Sequence, residues 1–418
     1  MELFRLRIYN NEEMKYLLKK FTKLTIFIAV TMLIVLYSEG WRINTLSRQL
    51  APENEQNNQV FKTGMLAVRS VPEGAKVFLD DESVTATDDT INSLKTGQYK
   101  LRLEKEGYER WEKEINVYED KVTDITAVLI LQSPKLEPLT NLNISKYAIS
   151  NNSNSIVFIS KNNNVYGLWM LPLNANSINI FRNQSYELAT FPATFKLQDA
   201  DELIWSPDDK EVYIKNGQNI SLIYSFNQPT KIATIQNIQN YELVQEAWIA
   251  EWQQDFLADK IEIINKQGET LDKILPIDQL DQTFGHWSPD AKKFFFMVEK
   301  SSPKNSAKLY DVYSYNLDEP LPIDESRLNR VLTDIDLNLY FISWYSDSYH
   351  LIISEKPTIV SNEYTLKLIR IDGENMTNIY NGFLSDQKAY ATPDGDKITV
   401  LTTLKKDTPN NLYGISIR

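Results

Sequence analysis

Trp205-Ser-Pro-Asp-Asp-Lys-Glu-Val-Tyr-Ile214 is written several times over in this chain. It returns as Trp287-Ser-Pro-Asp-Ala-Lys-Lys-Phe-Phe-Phe296, as Trp344-Tyr-Ser-Asp-Ser-Tyr-His-Leu-Ile-Ile353 and as Ala391-Thr-Pro-Asp-Gly-Asp-Lys-Ile-Thr-Val400. A weaker form stands at Ile149-Ser-Asn-Asn-Ser-Asn-Ser-Ile-Val-Phe158. In each, an apolar residue ends one strand, a Ser/Pro/Asp turn follows, and an apolar run opens the next. Pro207, Pro289 and Pro393 pre-set φ at the first central turn position, and Asp208, Asp290 and Asp394 cap the turn through their side-chain oxygens, with Asp347 in the copy after Trp344. The runs that follow are too short for helices and have no polar face, as suits strands buried on both sides.

The gap between the copies at Trp205 and Trp287 is about twice the usual propeller period of roughly 40–45 residues, which leaves room for one eroded copy around Trp248 to Ile264. Six units are therefore expected. A second, alternating strand follows most copies, as in Ile220-Ser-Leu-Ile-Tyr-Ser-Phe226. Antiparallel units repeated radially make a β-propeller, which leaves only short, protected edges. The turn signature resembles the WD-like repeats of TolB-type propellers over residues 132–418, and that resemblance implies architecture without naming a ligand. The tryptophans before the turns read as packing between blades, since an indole buries a large apolar area. The last copy stops one strand short, and Leu136-Glu-Pro-Leu-Thr140 resembles the unit-ending Arg330-Val-Leu-Thr333. Leu136–Thr140 is expected to pair with Leu412–Ile417 and close the ring, covering an edge that would otherwise invite aggregation.

With 418 residues, 42 % hydrophobic, the chain is long enough for two or three cores. Its formal charge of −12 repels phosphate backbones and argues against nucleic acid as a partner. The absence of cysteine removes disulfides, thiolate nucleophiles and Cys-ligated zinc. His286 and His350, the chain's two histidines, both sit inside repeat motifs and read as packing or surface residues.

Residues 1–23 carry Arg5, Arg7, Lys15, Lys19, Lys20 and Lys23, and read as a basic cytoplasmic tail with a short amphipathic helix on an anionic leaflet. Leu24 to Ser38 contains no charge. Extended to Trp41, with Lys23 snorkelling, it would reach the length of a membrane anchor, expected over 24–41. A cleaved signal peptide and a buried core helix are the alternatives, and the basic flank favours an anchor with the bulk of the chain outside the cell membrane. Pro52 and the polar tract around it make 42–63 a linker.

Within 64–131, Met65–Val71, Lys76–Leu79, Gly97–Leu103, Trp111–Val117 and Val122–Leu131 read as strands, enough for a small β-sandwich. Pro72-Glu73-Gly74-Ala75, Gly97-x-Tyr99 and Lys105-Glu-Gly-Tyr108 resemble the PEGA domain, which implies an extracellular spacer or adhesion module without catalysis. Where that family has Asp-Gly after the second strand, Asp80-Asp81-Glu82 stands here.

No nucleophile elbow, phosphate loop or paired-histidine motif occurs, so no catalytic residue, cofactor or metal is expected. Acidic turns such as Asp334-Ile-Asp336 lack the spacing of a calcium loop. Trp248 and Trp252 in the eroded unit are a candidate aromatic platform for a sugar or peptide, with packing between blades as the plainer reading. The expected function is binding: an envelope protein offering a propeller to an extracytoplasmic protein or cell-wall glycan. An enzyme using carboxylates at the propeller mouth, marked by two or three acids clustered there, is one alternative. A structural part of a surface layer or secretion assembly is the other.

Overall fold

The computed structural model describes residues 11–38, 41–43, 60–162, 165–173, 184–192, 200–206, 208–233, 235–238, 243–244, 286–300, 307–318, 320–403 and 408–418. They divide into two compact units, one of Met1–Leu103 with Glu112–Ala127, the other of Glu104–Trp111 with Val128–Arg418. The fold is mainly β.

The first unit begins with helix α1 (Asn11–Ser38) and continues through β1 (Trp41–Ile43), β2 (Val60–Val71), β3 (Lys76–Leu79), β4 (Glu82–Ala86), β5 (Asp89–Lys95), β6 (Gly97–Glu104), β7 (Trp111–Val117) and β8 (Val122–Val128). In one sheet β2 pairs with β1, β5 and β8; the other has the order β4-β3-β6-β7. Leu66, Val68, Val77, Leu79, Leu101 and Ile115 make the buried core. Along β3 and the end of β6 every second residue is buried, as the period of two requires. The Pro-Glu-Gly-Ala turn joins β2 to β3 after a cis Val71–Pro72 bond. Gly74 has φ +80, where a Cβ costs energy, and its N–H donates to Thr87 O at 2.9 Å. Ala75 is fully buried, and its N–H meets the Thr87 hydroxyl at 2.9 Å.

An anchor over 24–41 is not what forms. The helix ends at Ser38, and Trp41–Ile43 is instead strand β1, antiparallel to β2 with Trp41 opposite Lys62. The charge-free part, Leu24–Ser38, rises about 22 Å at 1.5 Å per residue, against a hydrocarbon layer of about 30 Å. Among the described residues no helix is long and apolar enough to cross a membrane. The expected linker is likewise entered by strands at both ends, since β2 begins at Val60; residues 44–59 lie outside the described residues.

The second unit holds β9 (Leu136–Pro138) and then consecutive four-stranded antiparallel meanders. These are β10 to β13 (Ile144–Ile149, Ser155–Asn162, Val165–Pro172, Tyr186–Thr190) and β14 to β17 (Glu202–Trp205, Glu211–Asn216, Asn219–Ser225, Gln236–Ile238). After residues 245–285, which lie outside the described residues, come β18 to β21 (His286–Trp287, Lys293–Glu299, Tyr310–Asn316, Leu328–Ile335) and β22 to β25 (Tyr340–Trp344, His350–Glu355, Glu363–Arg370, Thr377–Phe383). The last sheet is β26 (Ala389–Ala391), β27 (Lys397–Thr402) and β28 (Asn411–Ser416), with β9 as its fourth strand. Leu136 stands opposite Ile415 and Pro138 opposite Tyr413. Beyond them Leu131 N–H donates to Ile417 O at 2.9 Å and Leu139 N–H to Leu412 O at 2.8 Å. The chain's early segment thus covers the outer edge of its last strand.

The first strands of successive sheets are neighbours: β10 with β14, β18 with β22, and β22 with β26. Apolar clusters join the sheets in the same order. Val157, Ile159, Trp205 and Val212 share one core, Phe295, Val312, Leu351 and Ile353 another. Ile144, Phe158, Leu401 and Leu412 bring the first sheet against the last. Five described sheets arranged this way are propeller blades. The eroded unit expected around 248–264 lies outside the described residues.

Candidate functional site

Each blade has two ends of different chemistry. At one end lie the repeated turns. Ser206 Oγ donates to Asp208 Oδ1 at 2.7 Å and accepts from Glu211 N–H at 2.9 Å. Ser288 does the same with Asp290 (2.6 Å) and Lys293 N–H (2.9 Å), and Thr392 with Asp394 (2.5 Å) and Lys397 N–H (3.1 Å). In the weak first copy Ser150 donates to Asn152 at 2.8 Å and accepts from Ser155 N–H at 3.0 Å. The residue after the turn Asp, or after Asn152 in the first copy, has positive φ in all five described turns: Ser153 (57), Asp209 (56), Ala291 (57), Ser348 (63) and Gly395 (73).

That position also ties blade to blade. Asp209 accepts from Asn151 N–H (2.7 Å) and Asn152 N–H (3.0 Å) of the preceding turn, and Ser348 Oγ accepts from Asp290 N–H at 3.0 Å. The tryptophans do more than pack. Trp205 Nε1 donates to Ala148 O at 3.1 Å and Trp344 Nε1 to His286 O at 2.7 Å, each reaching the first strand of the previous described blade. Trp287 packs at 5.0 Å on Phe294. Pro289 and Pro393 sit in these turns; Pro207, Trp248 and Trp252 lie outside the described residues.

Beside one turn stands a fully buried lysine. Lys293 Nζ lies 2.9 Å from Asp290 Oδ2, 2.9 Å from Asp318 Oδ2 and 4.1 Å over the Tyr349 ring, whose hydroxyl donates to Asp318 at 2.9 Å. Burial, then that bond to Asp318, pushes the Tyr349 phenol well up. Burial raises the Asp290 carboxyl, but Ser288, Lys292 N–H and Lys293 together hold it below its usual value. His350 is buried against Asp347 at 2.6 Å. All these groups satisfy one another, which is the chemistry of a structural clamp.

The opposite end, where the first strands begin, opens into a cavity of about 720 Å³. Lys146 and Tyr147 line it from β10, Asp201 and Glu202 from the start of β14, Lys215 from the end of β15, Gly217 from the turn after it, and Asp386 and Lys388 from the segment before β26. Of these, sequence reasoning noted only Asp201 and Glu202, within an acidic stretch read as a solvated turn, because the lining carries no repeat. Acids and lysines interleave. Lys146 Nζ donates to Asp201 O at 2.9 Å, Gly217 N–H to Asp201 Oδ2 at 2.6 Å, and Lys388 Nζ reaches Glu202 at 3.4 Å. Tyr147 is buried beneath, its hydroxyl 3.3 Å from Lys388 O. Burial, then the Asp386 carboxylate, holds its phenol well above the ordinary value. Tyr390 is pushed up by the same two causes. The volume suits a ligand of drug or short-oligomer size, and the lining suits hydrogen bonding and charge pairing over apolar burial. Among the described residues no cluster of His, Cys, Asp or Glu could hold a metal ion.

Comparison with known proteins gives similarities to both parts of the chain. Residues 63–132 match the PEGA domain. Among solved structures, TolB from Acinetobacter baumannii is similar at 12 % identity, over 76 % of this chain and 60 % of that one, with a TM-score of 0.27. The match thus spans less than two thirds of that TolB. The β-propeller domain of the Trilobed protease from Pyrococcus furiosus is similar at 12 % identity over 76 % of each chain, TM-score 0.21. Oligogalacturonate lyase from Vibrio parahaemolyticus is similar at 8 % identity over 68 % of this chain and 94 % of that one, TM-score 0.29. No curated protein matches the chain. The chain therefore carries a PEGA domain at residues 63–132, and its solved structural neighbours are TolB-like and other β-propeller proteins.

Proposed function

We propose that this is a non-enzymatic binding and scaffold protein of the cell envelope, presenting a PEGA domain and a propeller to an extracytoplasmic protein or cell-wall glycan. One observation carries the reading: the interleaved Lys/Asp/Glu cavity at the open end of the blades. Its lining comes from strand ends and connecting segments of three blades, whereas the repeated turns occupy the other end. On this reading α1 attaches the chain to lipid through its apolar zone and the lysines that precede it. The test is capture from envelope extract, and on a glycan panel, by the full chain and by a Lys215→Glu/Asp386→Lys variant. A bound species lost with the variant at unchanged melting temperature supports the proposal. Retention by the variant removes the cavity as the site.

A specific observation also favours a second reading. Asp201, Glu202 and Asp386 line one mouth, the arrangement a glycan-acting enzyme would need. Against it, Asp201 is engaged by Gly217 N–H, Glu202 by Lys388 and Asp386 by Tyr147. New reducing or unsaturated ends from a polysaccharide panel, absent with Asp386→Asn, would establish the enzyme instead.

A further inference from the structure

Helix α1 presents two exposed zones in succession. Lys15, Lys19 and Lys23 follow at a spacing of four on one face with Lys20 beside them, all exposed. The apolar zone then has no buried face. Ile26, Phe27 and Ile28 point about 100° apart and are 63 %, 69 % and 57 % exposed, and Met32, Leu33 and Ile34 repeat the pattern. Such a helix does not lie flat on a surface, which needs one polar face and one apolar face. Its hydroxyls are turned inward: Thr25 and Thr31 donate to Phe21 O and Phe27 O, each at 2.8 Å. That leaves the zone able to enter hydrocarbon with its polar groups paired.

Resting on the proposal that α1 is the lipid attachment, we infer that this attachment selects anionic phospholipid headgroups through Lys19, Lys20 and Lys23. The geometry forces the placement. With a charge-free rise of about 22 Å, Lys23 stands at headgroup level whenever the apolar zone is immersed, and Lys19 lies about 6 Å further out. Both distances fall within a screening length of about 8 Å at physiological salt. The chain as a whole carries −12, so its remaining surface is repelled by an anionic bilayer and the attraction belongs to this collar.

The experiment is flotation of the full chain with vesicles of phosphatidylcholine alone, or with about a third phosphatidylglycerol. The Lys19→Gln/Lys20→Gln/Lys23→Gln variant runs alongside, with free glycerol phosphate as soluble competitor. The wild type partitions better into the anionic vesicles, and the advantage shrinks at about 0.5 M salt. The variant loses on the order of tenfold to a hundredfold of that partition, still binds through the apolar zone, and is unmoved by the competitor. Equal binding of wild type to both vesicles, or an anionic preference kept by the variant, overturns the inference and leaves the attachment standing. Absence of flotation with either vesicle overturns the attachment, and the inference with it.

Discussion

Exchanging one atom between equivalent turns tests the account of the propeller. Gly395 and Ala291 hold the same place, both with positive φ (73 and 57), yet only one is glycine. An L-residue there costs about 1–2 kcal/mol. In Gly395→Ala the new Cβ would stand 2.7 Å from the Tyr345 hydroxyl oxygen and closer still to Ser346 Oγ. Tyr345 is buried, and its hydroxyl donates to Gly395 O at 2.6 Å, so displacing it adds about 1–3 kcal/mol for an orphaned buried donor. The loss of chain freedom in the unfolded state returns about 0.4–1 kcal/mol. The net is a destabilisation of roughly 3 kcal/mol. Ala291→Gly is the mirror case: strain of about 1–2 kcal/mol is relieved against the same entropy term, leaving a gain of roughly 0.5–1 kcal/mol. Urea unfolding followed by tryptophan fluorescence reads both as midpoint shifts of opposite sign, taken from the propeller's own transition since the chain has two units. If Gly395→Ala moves the midpoint by less than about 0.5 kcal/mol, or Ala291→Gly lowers it, the equivalence of the turns is wrong.

Trp205→Phe keeps a ring to stack on Phe226 but removes the indole N–H to Ala148 O, and should cost about 1–2 kcal/mol in the same assay; no change would mean that the bond between blades is idle. Lys293→Ala removes the cation between Asp290 and Asp318, leaving Asp318 with Lys292 at 3.9 Å, and should cost about 2–4 kcal/mol, less than for a sealed pair because Asp290 is partly exposed. Differential scanning calorimetry checks it, and a loss below about 1 kcal/mol would deny the clamp. Asp290 is raised by burial but held below its ordinary 3.8 by Ser288, Lys292 N–H and Lys293; Asp208 is likewise lowered, by Ser206 and Lys210 against burial. A depressed acid contributes stability that is complete above the unfolded value and lost as pH falls through the folded one. The propeller should therefore weaken progressively below about pH 4, and Asp290→Asn should flatten that acid limb; equal limbs in circular dichroism would refute the linkage.

What the sequence made legible follows from which contacts are local. The Ser/Thr, Asp and N–H loop of three of the turns closes within five residues, so Trp205–Ile214 and its copies announce it. The PEGA turn is equally local, with Gly74 fixed by its positive φ and Ala75 by its burial. The ties between blades are not legible, because Asp209 bonds a turn 57 and 58 residues away and only the fold shows that the two meet. Lys293 looked like one more charged turn residue until Asp318 and Tyr349 enclosed it. In α1 the composition of the apolar zone was plain, but its end was not. Trp41 reads as an interfacial anchor by type, and it goes to a strand because β2 offers it a partner.

The two ends of the blades explain why architecture and function differ in legibility. A turn that holds the same positive φ in all five described copies, and the same hydroxyl-to-acid bond in three of them, leaves little room for chemistry of its own, and its side chains are already spent on one another. At the other end nothing repeats: Lys146, Asp201, Lys215 and Asp386 come from four different strand contexts and share only a destination. Selection for a ligand can therefore act there without disturbing the turns, and it would leave no periodic trace. The proposed ligand's specificity is therefore tested by changing those cavity residues singly in a propeller whose turns are left intact.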